Sequence, residues 1–301
     1  MGATATGKSD LAIAVARALT ESGHSAEVVN ADSMQLYRGM DIGTAKLTAA
    51  ERQGVPHHLL DIWSVRHTAS VADYQQRARA VIDALLVAGR VPVVVGGSGL
   101  YVRAALDRME FPGTDEDLRA ELEQRLASLG PQKLHAELAA LDPAAAAAIL
   151  PGNGRRIVRA LEVIRLTGAP FTASLPGFDS VYDVTFIGLD GPNDWLDRRV
   201  GDRVDRMFVA GLVDEVVRLV GVGLREGRTA SRALGYRQVL AHLDGLLTVD
   251  EARVETARAT RRFVRRQRSW FRRDPRIHWL ATGPDLGERA LQLSVANSTV
   301  T

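Results

Sequence analysis

The hydrophobic and polar positions of this chain follow two alternating periods, which predict an α/β core. Apolar residues recur at helical spacing from Lys8 to Ser22 and from Val71 to Ala88. Short apolar runs at 26–31 and 91–95 have the length and β-branched content of buried strands. Further strand candidates are 185–189 and 277–280. Strands that alternate with helices in this way predict a mainly parallel sheet flanked by helices.

The middle of the chain lacks any strand pattern. Leucines at helical spacing, followed by a run of alanines, fill residues 114–150 and predict a helical insertion, and 194–273 is also mostly helical. After Thr282 the sequence turns polar and loses its period. We therefore predict four parts: an α/β core at 1–113, a helical insertion at 114–180, the remainder of the core with basic C-terminal helices at 181–282, and a frayed tail at 283–301.

Composition narrows the class of protein. The chain has 301 residues, 46% hydrophobic and 25% charged, which is typical of a globular protein. It contains no cysteine, which excludes disulfides and thiolate metal sites. No apolar run approaches the ~18 residues that a membrane span needs, and no leader pattern is present. We expect a cytoplasmic monomer with no membrane partner.

Positive charge is concentrated near the C-terminus. The net charge is only +2, yet ten arginines lie between Arg253 and Arg276 against only Glu255 and Asp274. A basic helical face of this density favours binding to phosphates.

The strongest motif is a phosphate loop at the start of the chain. It fits the pattern G-x-x-x-x-G-K-[ST] at every fixed position and consists of Gly2, Ala3, Thr4, Ala5, Thr6, Gly7, Lys8 and Ser9. Glycines let backbone amides turn toward a diphosphate, Lys8 adds a positive charge, and the Ser9 hydroxyl can bind Mg²⁺. The following helix directs its positive N-terminus at the same anion. The motif predicts a diphosphate or triphosphate ligand.

Such a loop normally follows a central strand, but only Met1 precedes Gly2 here. Without that strand, its neighbours would have unpaired backbone groups in a buried place. We expect the natural start codon to lie upstream.

The residues that follow the second apolar strand help to distinguish between classes of enzyme that bind phosphates. A switch or motor NTPase would place an Asp at its end to hold magnesium, whereas 91–95 runs into Gly96-Gly97-Ser98. A small-molecule kinase stays open, since Asp32 at the end of the first strand could activate a hydroxyl. The same Asp could deprotonate an attacking amine, or merely cap a helix.

Six further motifs resemble the tRNA dimethylallyltransferase family, in the family's order. They are NADSMQLYRGMDIGTAK at 30–46, PHHL at 56–59 with Asp61, GGSGLY at 96–101, RALEV at 159–163, GYRQ at 235–238 and RRQRSWFR at 265–272. The resemblance runs from Gly2 to about Leu280. The chain departs from the family at Ala3, where Pro is usual.

The resemblance implies that the exocyclic amine of an adenosine in the tRNA anticodon stem-loop attacks dimethylallyl diphosphate. The amine is a poor nucleophile and must be oriented and deprotonated while charge develops on the leaving group. It implies Asp32 as the base, and Lys8, Ser9 with Mg²⁺, the loop amides and an arginine at the diphosphate. Arg203 matches the family position best, with Arg199 and Arg206 as rivals.

The resemblance also implies contacts to tRNA. The candidates are Asp32, Ser33, Met34, Gln35, Ser98, Arg119, Arg155, Arg156, Arg159, Arg232, Gly235, Tyr236, Arg237, Arg266 and Gln267. Ser98 could instead cap a helix, and Trp270 and Phe271 are more typical of a core. The target base lies in a stacked loop, so we expect it to be flipped out.

Three rival functions remain. A prenyltransferase acting on free adenine nucleotides would not need the helical insertion or the basic helix. A small-molecule kinase would turn over ATP without RNA, and an inactive tRNA-binding protein would bind RNA without making product. Adjacent His57 and His58 point apart and lack a carboxylate cluster, so we assign no zinc site.

Overall fold

A computed structural model of the chain describes residues 1–171, 177–283 and 285–296. The chain divides into two compact units. Unit 1 contains residues 1–107 and the chain from 180 onward, and unit 2 contains residues 108–179. None of the helices in the described parts of the chain combines the length and apolarity that a bilayer crossing needs.

The strands of unit 1 pair in parallel throughout. They are β1 Ala26–Asn30, β2 His57–His58, β3 Val91–Val95, β4 Phe186–Asp190 and β5 Ile277–Ala281. One sheet has the order β2-β1-β3, with Val28 opposite both His57 and Val93, and a second sheet pairs β4 with β5. The predicted α/β class with a mainly parallel sheet is confirmed, although the described strands are assigned to two sheets rather than one.

Helices make up most of the remaining described chain. They are α1 Lys8–Glu21, α2 Val71–Val87, α3 Gly99–Leu106, α4 Glu116–Leu129, α5 Pro131–Leu141, α6 Pro143–Ala148, α7 Gly154–Thr167, α8 Asn193–Val209, α9 Leu212–Gly221, α10 Tyr236–Leu243, α11 Val249–Phe271 and α12 Leu286–Ala296. A short 3-10 helix, Ala230–Arg232, precedes α10. The helical periods read from the sequence at α1 and α2 are confirmed to within a residue at each end.

The core of unit 1 forms where α1 covers the first sheet. Ile13, Ala16 and Leu19 lie on one face of α1 and pack with Val28 of β1 in a single buried cluster. The 3.6-residue spacing of the apolar side chains on α1 explains why this face turns inward. The packing fixes the N-terminus of α1 relative to the carboxyl end of β1, where the candidate site lies.

The predicted frayed tail is wrong for residues 286–296, which form α12. Ala290 is fully buried and joins the α1 cluster, with Leu291 packed against it. The stretch is only 11 residues long, and its burial against α1 rather than local preference stabilises it. Residues 284 and 297–301 of the predicted tail lie outside the described residues.

Unit 2 is a four-helix cluster around leucine side chains. Leu122, Leu134 and Leu138 are fully buried with Leu161 of α7. The helix starts are capped, because Asp115 accepts from the amide of Leu118 at 2.9 Å and comparable bonds begin α6 and α7. The helices predicted for 114–150 are confirmed as α4 to α6. Residues 172–176 of the predicted insertion lie outside the described residues.

Candidate active site

The phosphate loop wraps around the N-terminus of α1. Gly7 has φ +90°, a left-handed conformation that glycine adopts without strain, and it is followed directly by the first helical turn. Within the loop, Lys8 Nζ donates to the Ala3 carbonyl at 2.5 Å and Thr6 Oγ1 donates to the same oxygen at 2.9 Å. Because first-turn amides have no intrahelical acceptor, this end of α1 is suited to an anion.

The start of the loop is held against β4. The amide of Leu189 donates to the Met1 carbonyl at 2.9 Å, and Gly2 pairs in parallel with Leu189. The phosphate loop therefore begins beside the carboxyl end of β4. Open α/β sheets bind ligands at the carboxyl ends of their parallel strands.

Three predicted catalytic side chains form one electrostatic cluster. Burial and, to a smaller extent, the neighbouring Arg203 lower the pKa of Lys8 to about 8, while the charge of Asp32 acts in the opposite sense. Burial also lowers the pKa of Arg203, and Asp32 again acts in the opposite sense. Two partly desolvated cations beside one carboxylate provide a place where an added anion would be stabilised.

The structure distinguishes Arg203 from its two rivals on α8. Arg203 is turned inward and its Nη2 donates to the Thr44 carbonyl at 3.2 Å. Arg199 donates to the Ala5 carbonyl at 2.7 Å and stacks on Trp195, which makes it a support for the loop. Arg206 is exposed. Arg203 lies close enough to both Lys8 and Asp32 for their charges to interact.

Asp32 lies in a turn fixed from both sides. Its amide donates to Asn30 Oδ1 at 2.9 Å, and Asn30 Nδ2 donates to the Leu59 carbonyl at 3.0 Å. Asp32 Oδ1 accepts from the amide of Met34 at 2.9 Å. One carboxylate oxygen therefore orients the side chain within the turn, as in an Asx turn, and the chain does not use Asp32 as a helix cap.

Ser98 connects the second glycine loop to this turn. It occupies the N-cap position of α3 but makes no capping bond with its side chain. Instead, its Oγ accepts from the amide of Ser33 at 3.3 Å and lies 3.1 Å from Ser33 Oγ. The helix-capping alternative for Ser98 is therefore incorrect.

Gln267 joins the two glycine loops. Its Oε1 accepts from the amide of Thr4 at 2.9 Å, and its Nε2 donates to the Gly97 carbonyl at 2.8 Å. The side chain is only 7% exposed. The predicted tRNA contact is therefore corrected: Gln267 is occupied inside the protein, where it fixes the spacing of the loops.

Comparisons with known proteins agree with this geometry. A sequence model of the family described as IPP transferase matches residues 35–274. The tRNA dimethylallyltransferase of Thermobifida fusca is 66% identical over 299 residues, which cover 99% of this chain and 94% of that relative.

The chain belongs to the IPP transferase family.

Other members of the IPP transferase family extend the comparison. The tRNA dimethylallyltransferase of Streptomyces coelicolor is 67% identical over 283 residues, 94% of this chain and 89% of that protein. The crystal structure of a tRNA isopentenylpyrophosphate transferase from Bacillus halodurans has a TM-score of 0.71 at 40% identity and covers 99% of this chain and 96% of its own. A eukaryotic dimethylallyltransferase acting on tRNA, at 24% identity and TM-score 0.81, shares the fold. As an IPP transferase, the chain is a prenyltransferase.

The predicted tRNA contacts of unit 1 differ in exposure. Ser33, Met34 and Gln35 are partly buried next to Asp32, whereas the exposed members are Arg232, Arg237 and Arg266. Gly235 is buried at the start of α10, and the Tyr236 side chain is fully buried. The prediction of a tRNA contact by the Tyr236 side chain is corrected, because a buried ring presents no surface to RNA. Phe271 is buried as expected, and Trp270 packs on Gly99.

In unit 2, two predicted contacts are engaged in a buried ion pair. Arg119 Nη2 and Arg159 Nη1 donate to Glu162 Oε2 at 2.5 Å and 2.9 Å, and the Glu162 side chain has no exposed surface. Arg155 and Arg156 remain exposed on α7. The resemblance grouped Arg159 with Arg155 and Arg156 as tRNA contacts, but in the structure Arg159 turns inward and pairs with Glu162.

Glu162→Gln is expected to destabilise unit 2 by about 3–5 kcal/mol, because it leaves two guanidinium groups without their buried anion. The measurement is hydrogen exchange of the amides of α4 and α7. The control is Glu121→Gln, which loses only the exposed pair with Arg165 and should change stability by less than about 1 kcal/mol. Equal effects of the two substitutions would contradict this role for Glu162.

The same pair gives unit 2 a dependence on pH. Burial alone would raise the pKa of Glu162, but hydrogen bonds from Arg119 and Arg159 hold it below the ordinary 4.5. A carboxylate with a lowered pKa stabilises the fold above its unfolded pKa, and this contribution is lost as pH falls through the folded value. Exchange protection should therefore fall on acidification below pH 4.5 in the wild type and change less in Glu162→Gln.

The imidazole rings of His57 and His58 each contact a different acceptor within the protein. His58 Nε2 lies 2.5 Å from Glu27 Oε2, and His57 Nδ1 lies 2.8 Å from the Val55 carbonyl. Within the described residues, no three His, Cys, Asp or Glu side chains are grouped as metal ligands.

Proposed function

We propose that this chain transfers the dimethylallyl group of dimethylallyl diphosphate to N6 of adenosine 37, the nucleotide 3′ to the tRNA anticodon. The products are N6-isopentenyladenosine and diphosphate. The observation that carries the proposal is the cluster of Lys8, Arg203 and Asp32 at the phosphate loop, tied by Gln267 to the second glycine loop. A diphosphate site beside a carboxylate is what an alkyl transfer from a diphosphate donor to an amine requires.

The phosphate loop would hold the leaving group. The amides at the start of α1, the Lys8 ammonium and the Arg203 guanidinium all act on the oxygens that gain charge as the allylic C–O bond breaks. Since Lys8 and Arg203 are partly desolvated, their attraction for that charge is stronger than it would be in water.

Ser9 is the residue that would hold Mg²⁺. Ser9 lies in the first turn of α1, next to Lys8, and a hydroxyl oxygen is a hard ligand that magnesium accepts together with phosphate oxygens and water. When bound, the ion would neutralise part of the diphosphate charge.

Asp32 would accept the proton of the adenine amine. Its Oδ1 is held by the amide of Met34, which leaves the second carboxylate oxygen to face the amine. The lone pair of the amine is delocalised into the ring, so orientation by Ser33 and Ser98 and removal of the proton as the bond forms are both needed.

The tRNA would be held by exposed arginines. Arg232, Arg237 and Arg266 of unit 1 and Arg155 and Arg156 of unit 2 offer cations to a folded backbone. The adenosine would be flipped from its stack to reach Asp32. With tRNA as the substrate, we expect the chain to act in the cytoplasm as a monomer.

The test incubates the chain, Mg²⁺ and dimethylallyl diphosphate with unmodified tRNA that carries an A-A-A run at 36–38 of the tRNA, then weighs the nucleosides by mass spectrometry. One N6-isopentenyladenosine per tRNA is expected. Modification of free AMP in place of tRNA would support an adenine-nucleotide prenyltransferase, and ATP turnover without RNA would support a kinase. Salt-sensitive tRNA binding without product would indicate an inactive binding protein.

A further inference from the structure

A buried carboxylate on α9 binds the backbone of a loop, and the proposed reaction assigns this carboxylate no role. Glu215 is 2% exposed. Its carboxylate accepts from the backbone amides of Asp41, Ile42 and Gly43 at 3.1, 2.8 and 3.2 Å. It also accepts from the Tyr236 hydroxyl at 2.6 Å. Four hydrogen-bond donors therefore surround this buried carboxylate and stabilise it.

The Tyr236 ring is fitted to the same loop. A Cβ at Gly43 would lie 2.5 Å from the ring, so only glycine leaves room for the tyrosine there. Burial and, next in size, the charge of Glu215 raise the pKa of Tyr236 well above its usual value of 10. The hydroxyl therefore remains protonated and acts as a donor.

The loop held by Glu215 is hydrogen-bonded to Arg203, a member of the cluster with Lys8 and Asp32, through a backbone carbonyl. The Thr44 carbonyl accepts from Arg203 Nη2 at 3.2 Å and from Gln35 Nε2 at 3.2 Å. Thr44 directly follows the three amides that Glu215 binds. Hydrogen bonds therefore connect Tyr236 to Glu215 and Glu215 to the Gly43 amide, and the next residue of the backbone, Thr44, accepts from Arg203.

We propose that Glu215 and Tyr236 are positioning residues, which fix the loop 41–44 so that its Thr44 carbonyl orients the Arg203 guanidinium toward the diphosphate. The inference rests on the proposed function of Arg203. It gives the Gly235-Tyr236 motif a role inside the protein in place of a side-chain contact with tRNA.

A second anchor keeps the loop folded when the first is weakened. Lys46 Nζ is buried and donates to Asp41 Oδ1 at 2.7 Å, to Asp61 Oδ1 at 2.6 Å and to the Tyr37 carbonyl at 2.9 Å. Removing the Tyr236 hydroxyl should therefore loosen the position of Thr44 without unfolding the segment.

The test is a double-mutant cycle of Tyr236→Phe with Arg203→Met, read as the affinity for inorganic pyrophosphate by calorimetry. Tyr236→Phe keeps the ring on Gly43 and should weaken binding about tenfold, the value of one hydrogen bond to a charged group. In the Arg203→Met chain, the same change should alter affinity by less than about twofold, because the residue it acts through is gone. The same fold-loss of pyrophosphate affinity in both backgrounds would overturn the proposal, because a general structural loss would weaken binding whether or not Arg203 is present.

Tyr182→Phe is the matched control. That hydroxyl also donates to a carboxylate, Asp83 Oδ1 at 2.8 Å on α2, and has no part in the hydrogen bonds described above, so its loss should leave pyrophosphate affinity unchanged. Glu215→Gln provides a second variant, which should also weaken binding in the wild type and not in Arg203→Met. A higher KM for tRNA alone, with pyrophosphate affinity unchanged, would restore the tRNA-contact role of Tyr236. Binding of pyrophosphate is measured without tRNA, so the inference fails or stands independently of the prenylation assay.

Discussion

Asp32→Asn is expected to lower kcat for tRNA prenylation by about 10²–10⁴-fold, the usual contribution of a positioned general base. Asparagine keeps an oxygen that can accept from the amide of Met34, so the turn that orients residue 32 is preserved. The substitution removes only the ability to take up the amine proton. The measurement is single-turnover formation of N6-isopentenyladenosine, together with tRNA affinity by filter binding, which should change by less than twofold.

Asp250→Asn provides the control for Asp32→Asn. Asp250 lies in the first turn of α11, is largely exposed, and pairs with Arg253 at the surface. Its substitution should leave kcat unchanged. A drop in kcat of less than threefold for Asp32→Asn would assign proton removal to another group or to water.

Lys8→Met is expected to lower kcat/KM for dimethylallyl diphosphate by about 10²–10³-fold, comparable to the loss of one preorganised donor to a developing anion. Methionine retains the apolar stem of the side chain but lacks the ammonium group, so it cannot bind a phosphate oxygen. The affinity for inorganic pyrophosphate should fall with it, because Lys8 acts on the leaving group. Steady-state kinetics at saturating tRNA and calorimetry with pyrophosphate measure the two effects.

Lys133→Met serves as the control for Lys8→Met. Lys133 is an exposed lysine on α5, and its loss should leave both quantities unchanged. If the Lys8→Met chain kept its affinity for pyrophosphate, the phosphate loop would not be the binding site for the diphosphate of the prenyl donor.

Local sequence patterns predicted the α/β fold and those site residues that directly follow or precede a helix or strand. The apolar period of α1 and the β-branched run of β3 were readable because burial against a sheet imposes those spacings on a single face. The phosphate loop and Asp32 were readable for the same reason: each lies directly beside one of these elements. The helix α12 was missed, since its burial depends on α1, far away in the chain.

The connecting residues could not be predicted from local patterns, because their partners lie far along the chain. Gln267 is 263 residues from Thr4, and Glu215 is 174 residues from Asp41. A signal was nevertheless present in helical phase. Gln267 falls between buried Val264 and Phe271 on α11, and a polar residue at a core position requires a buried partner.

The same phase argument applies to Glu215 on α9. It lies on the face that carries buried Leu212, Val216 and Leu219, where a carboxylate is costly unless it is hydrogen-bonded. Glu215 on α9 and Gln267 on α11 thus mark positions at which distant loops are hydrogen-bonded to these helices.

The bond pattern of Gln267 also determines which substitutions the chain tolerates there. A side-chain amide has a direction: at this position its oxygen must meet an N–H and its nitrogen must meet a carbonyl. A glutamate would satisfy Thr4 but would set a second oxygen against the Gly97 carbonyl, and a methionine would satisfy neither. By size glutamate is the most conservative replacement, yet at this position it would be among the most damaging, so substitution scores based on side-chain similarity would misjudge variants of this residue.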